Sequence, residues 1–66
     1  MMLTTEERRL LHIFRSGSAV ETAVVVRDAL ADISEPDVRD AAESLLRKLE
    51  CMSEAEFAEM RTPYAG

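Results

Sequence analysis

Apolar positions along the chain recur at helical spacing, and polar punctuation divides them into four stretches. Leu10, Leu11, Ile13 and Phe14 form the first apolar face. Thr4 and Glu7 precede it at the Ser/Thr-x-x-Glu spacing, in which hydroxyl and carboxylate each satisfy an orphan N–H of the first turn. Gly17 stands where a left-handed residue commonly ends a helix, so the pattern predicts a first helix over about 5–16. Ser18 and Glu21 repeat the capping box and open a second helix to about residue 32. Ser34 as a cap, Pro36 in the first turn and Asp37 beside the positive end of the dipole open a third, over about 35–50. Ser53 and Glu56 form a further box and open a short helix over about 54–60, which Pro63 ends. Thr62 to Gly66 carry no pattern and are expected to fray.

Val24-Val25-Val26 is a β-branched run that would also suit a buried strand. Ala19, Ala23, Val26, Leu30 and Ile33 decide against it, because they fall on one narrow helical face. No second strand candidate exists to satisfy the backbone of a first. The expected fold is all-α, a compact three-helix bundle with a short fourth C-terminal helix, and residues 1–66 form one helical domain.

The faces separate core from surface. On the third helix Val38, Ala41, Ala42, Leu45 and Leu49 make the buried stripe, and Met52 continues it. On its other side Glu35, Arg39, Glu43 and Arg47 alternate in sign at intervals of four, which reads as a solvated, self-compensated face. Residues 35–50 hold three bases against five acids, and a helix that grips phosphates is not built that way. On the first helix Arg8, His12 and Arg15 share the face opposite Leu10 and Phe14, a small basic strip that is either solvated or meets an acidic partner or a phosphate. The second helix carries, beside its main face, an apolar strip of Val20, Val24 and Ala31. Burial on two sides of the bundle is the first expectation for it, and contact with a partner chain or a second copy is the alternative. Phe57, Met60 and Tyr64 form either a lid over the small core, which is the expectation, or a docking strip among Glu54, Glu56 and Glu59.

Charge and rare residues narrow the function. Thirteen acids against eight bases give a net charge of −5, which argues against a general nucleic-acid binder and against a module resting on anionic lipid. The longest uncharged apolar run, around Ala23 to Val26, is far shorter than the ~20 residues of a membrane span. The opening Met1-Met2-Leu3-Thr4-Thr5-Glu6-Glu7 has acids where a secretory signal has bases, so the expected location is cytoplasmic. One cysteine, Cys51, and one histidine, His12, exclude an internal disulfide and supply too few ligands for a structural zinc site. Cys51 lies near the end of the apolar stripe and is expected to pack as a small hydrophobe, with a Cys51–His12 nucleophile pair as the weaker alternative. Gly17 and Gly66 are the only glycines, so no glycine-rich loop cradles a phosphate. The chain is expected to be no enzyme and to need no cofactor or metal.

Leu3-Thr4-x-Glu6-Glu7, Ile13-Phe14, Ser16-Gly17-Ser18, Glu35-Pro36-Asp37 and Lys48-Leu49-x-x-Met52-Ser53-Glu54-x-Glu56-Phe57 follow one another in a characteristic order. In this the chain resembles the transposon-transfer assisting proteins, short chains of conjugative elements in gut Firmicutes, over residues 3–57. The resemblance implies an accessory role in moving a conjugative transposon and carries no catalytic or binding residue with it. The expected function is that of a non-enzymatic accessory acting through contact with a protein partner, one of the transfer machinery being the first candidate. Val20, Val24 and Ala31 are the first partner surface, and Arg8, His12 and Arg15 the second. A homodimer is compatible with this reading, since pairing would enlarge a small core. Two rivals stand beside it: a small helix-turn-helix regulator binding DNA through a local basic patch, and an acidic anti-defence protein mimicking DNA.

Overall fold

The computed structural model describes residues 3–60. Its regular elements are four helices: α1 (Thr5–Phe14), α2 (Ala19–Leu30), α3 (Pro36–Cys51) and α4 (Glu54–Glu59). The architecture is the all-α bundle that the hydrophobic spacing predicts, with the valine run helical inside α2. The expectation for Thr62 to Gly66, and for Tyr64 among them, lies outside the described residues.

Local capping chemistry sets the helix starts, with two departures from the sequence reading. Thr4 and Glu7 form the full box: the Glu7 N–H donates to Thr4 Oγ1 at 3.1 Å, and the Thr4 N–H donates to Glu7 Oε1 at 2.8 Å. Ser53 and Glu56 do the same at 3.1 and 2.9 Å. Ser18 accepts from the Glu21 N–H at 3.1 Å, but Glu21 does not return the bond; its Oε2 accepts from Ser16 Oγ at 3.3 Å instead. Ser34 is not the cap of α3. Pro36 occupies the first helical position and holds the residue before it in extended backbone, so the N-cap falls to Glu35, whose side chain makes no capping bond.

Helix ends depart further. Gly17 has no positive φ, and α1 ends at Phe14, two residues short of the expected 16. Arg15 leaves the helix in extended backbone at φ −57°, ψ 130°. The freed Ser16 N–H donates to Thr22 Oγ1 at 2.9 Å, and that hydroxyl donates to the Ser18 carbonyl at 2.7 Å. A buried threonine on α2 thus holds the turn that a left-handed glycine was expected to make. α2 itself tightens at its end, with Asp32 and Ile33 N–H groups donating to the carbonyls of Ala29 and Leu30.

α3 is the element against which both α1 and α2 chiefly pack. The core joins Leu10 and Leu11 of α1, Ala19, Ala23 and Val26 of α2, and Ala42, Leu45 and Leu49 of α3, closed by Met52 and Phe57. Phe14, Leu30, Ile33, Val38, Ala41 and Met60 pack around it, half-buried. Ile13 is not among them. It points away from the core at 68% exposure, because Leu10, Leu11 and Phe14 already define the inward arc of α1. Cys51 is also exposed, contrary to the expectation that it packs. It lies two residues past Leu49, about 200° around the helix from that buried stripe.

Candidate functional site

The side chains that carry charge into the interior hold helices together. Glu7 is 2% exposed, and its Oε1 accepts from Lys48 Nζ at 2.7 Å across the α1–α3 seam. Burial alone would raise its carboxyl. Hydrogen bonds from Lys48, Ser44 and the Thr4 N–H, with the Lys48 charge, outweigh that and hold it at about 2. Glu54 Oε1 accepts from the Ala19 N–H at 2.9 Å, placing a carboxylate on the first turn of α2. From the end of α1, the Arg15 guanidinium donates to the Met60 carbonyl and to the Phe57 carbonyl (3.0 Å for the latter), and it stacks 4.3 Å from the Phe57 ring centroid. α4 is therefore clipped at its start by Glu54 and at its end by Arg15, with Phe57 buried between. This is the lid expected of Phe57 and Met60.

These contacts rearrange the sequence-derived basic strip. Arg8 and His12 are exposed on α1, but Arg15 turns to α4 and is half-buried there, so the three do not form one surface. The reason is tertiary: α4 brings two carbonyls and an aromatic face within reach of a guanidinium that local spacing assigns to solvent.

The α2 strip fares differently. Burial on two sides is not what happens: Val20 is 67% exposed, Val24 47%, and Val25 38%. α3 covers the Ala19, Ala23 and Val26 arc, and no described element covers the adjacent flank. Val20 and Val24 line an open groove of about 250 Å³ between α2 and the C-terminal end of α3. Ala23, Leu49 and Met52, all buried, lie on its inner side. Arg27 Nη2 donates to Glu50 Oε2 at 2.5 Å and ties the two walls together. Ala31, at the C-cap of α2, is exposed but does not line the groove.

The sequence pointed to this groove through the i, i+4 valines but missed its other wall. Leu49 and Met52 read as plain core, and Arg27–Glu50 joins residues 23 positions apart with no local signature. The groove offers apolar surface with a charged edge, which suits an apolar side chain from another molecule. Among the described residues no group of three His, Cys, Asp or Glu is placed to hold a metal ion. No helix among them is long and apolar enough to cross a membrane. The Glu35, Arg39, Glu43 and Arg47 ladder is exposed throughout, and among the described residues none of its members closes an ion pair.

Comparison with known proteins bears on this arrangement through the family alone. No curated protein matches the chain, and no solved structure does. A family model does match, over residues 3–62, nearly the whole length and with it every helix that frames the groove. The chain belongs to the family described as Putative transposon-transfer assisting protein.

Proposed function

We propose that this protein assists the transfer of a conjugative transposon as a non-enzymatic cytoplasmic accessory, binding a protein partner through the α2–α3 groove. The observation that carries the reading is the exposure of Val20 and Val24 beside a groove, in a chain whose family is named for transposon transfer. Isolated exposed apolar residues are ordinary. Here two exposed valines one turn apart on one helix border a concavity, which favours an interaction face. The non-catalytic part of the reading is supported by how the polar side chains are used. Glu7, Lys48, Arg15, Glu54 and Thr22 are each engaged in fixing a helix end or a helix–helix seam.

The test is in-frame deletion of the gene from a donor carrying the element, with transconjugants counted per donor. Complementation uses the wild type or the double variant Val20→Ser, Val24→Ser. The expected result is a drop that the wild type restores and the double variant does not, although both accumulate to the same level. An unchanged frequency on deletion removes the transfer role. Rescue by the double variant removes the groove from it.

A further inference from the structure

We infer that the groove between α2 and α3 takes a partner helix whose apolar side chains are flanked by lysines or arginines. This rests on the reading of the groove as the docking face and adds the chemistry of what fills it. The apolar component is given by the lining: Val20 and Val24 outside, Ala23, Leu49 and Met52 within. An amphipathic helix laid in such a groove inserts side chains at helical spacing, and the flexible thioether of Met52 can adjust to them.

Charge selects among apolar partners. The groove is lined from α2 and from Leu49, Glu50 and Met52, and α2 (Ala19–Leu30) holds two acids, Glu21 and Asp28, against one base, Arg27. That base is held by Glu50. Glu21 and Asp28 lie on the exposed side of α2, one turn to either side of Val24, and Glu50 lines the far wall. Such a surface attracts a basic segment and repels an acidic helix, a phosphate backbone or an anionic lipid surface. A second copy is disfavoured on the same ground. In an antiparallel pairing of α2 with itself about Val24, Glu21 of one copy falls beside Asp28 of the other, like against like.

The probes are two synthetic amphipathic helices, one of leucine and lysine and one of leucine and glutamate, titrated into the full-length ¹⁵N-labelled protein at low and high salt. The expected result is binding of the lysine helix, with amide shifts concentrated at Val20, Val24, Arg27, Glu50 and Met52, and no response to the glutamate helix. Val20→Ser with Val24→Ser weakens that binding at least about tenfold. Glu21→Gln with Asp28→Asn, a change confined to exposed side chains, weakens it severalfold and flattens its salt dependence.

Equal binding of both helices, shifts spread over α1 or the α3 ladder, or no shift at all would each overturn the inference. Concentration-dependent groove shifts in the protein alone would overturn it in favour of a second copy. Failure here is separable from failure of the functional reading. If Val20→Ser with Val24→Ser abolishes transfer while the lysine helix leaves the groove untouched, the docking face stands and its proposed occupant falls.

Discussion

Two ion pairs tie α3 to its neighbours, Lys48–Glu7 to α1 and Arg27–Glu50 to α2, and both are short, at 2.7 and 2.5 Å. Their surroundings make them different objects. Glu7 is buried and takes further hydrogen bonds from the Thr4 N–H and Ser44, so removing it breaks a buried charge contact and leaves a helix start uncapped. The Arg27 and Glu50 side chains are 59% and 46% exposed, where water competes with the pair and salt screens it. One seam is locked by charge inside the bundle. The other is closed by charge only at its rim, and beside it the valines of α2 stay open. The charge-locked seam and the proposed docking face thus lie on opposite sides of the same central helix.

Substitutions that break the comparison should follow this asymmetry. Glu7→Ala has the largest expected effect, a loss of about 3–5 kcal/mol, because it takes the buried carboxylate away from Lys48 and removes the α1 cap together. In a domain of this size that is enough to leave much of the chain unfolded in urea titrations at neutral pH. Acid sharpens the same point. A carboxyl held at about 2 when folded and near its ordinary 4.5 when unfolded contributes stability that is complete above the unfolded value. That contribution is lost as pH falls through about 2, and it amounts to about 3 kcal/mol. Urea midpoints between pH 6 and pH 2 should therefore fall steeply in the wild type, and less so in Glu7→Gln, which has no proton to take up there.

Arg15→Met keeps the stem and removes the guanidinium from the end of α4. The expected loss is about 2 kcal/mol, from the bonds to the Phe57 and Met60 carbonyls and the contact with the Phe57 ring. Faster amide exchange confined to α4 would show that the clip, not the core, has gone. Gly17→Ala should act in the other direction by about 0.4–1 kcal/mol, since Gly17 has no positive φ and a new Cβ would sit 3.5 Å from the Glu21 carboxylate, an ordinary contact. A lower melting temperature in that variant would show that the turn needs glycine after all. Glu50→Ala should change stability by no more than about 0.5 kcal/mol. An effect as large as that of Glu7→Ala would erase the distinction between the two seams.

Much of the fold was legible because its determinants are local. A hydroxyl three residues before a carboxylate specifies a helix start whatever surrounds it, and Thr4–Glu7 and Ser53–Glu56 form as their spacing predicts. Apolar spacing likewise identified the inward arcs of α2 and α3, including a valine run that could have been taken for a strand. Where two local signals competed, the stronger steric one won: Pro36 moved the cap from Ser34 to Glu35. The second apolar strip of α2 was visible, but whether a neighbour would cover it depends on where α3 ends and α4 begins. Spacing within one helix carries no record of that.

By itself the sequence determined that the chain is helical, where three of its four helices receive a side-chain cap, and the inward arcs of α2 and α3, since these follow from backbone sterics and periodicity over a few residues. Only the tertiary structure decided what the charged and borderline residues do. Glu7 meets Lys48 across 41 positions, and Arg15 meets Phe57 across 42. Val20 and Val24 are left beside an open groove, while Ala23, one residue away, is sealed in the core. Such surroundings are chosen by the packing of helices distant in the chain, and the same residue is a surface charge, a clip or the wall of an open groove according to what that packing brings to it.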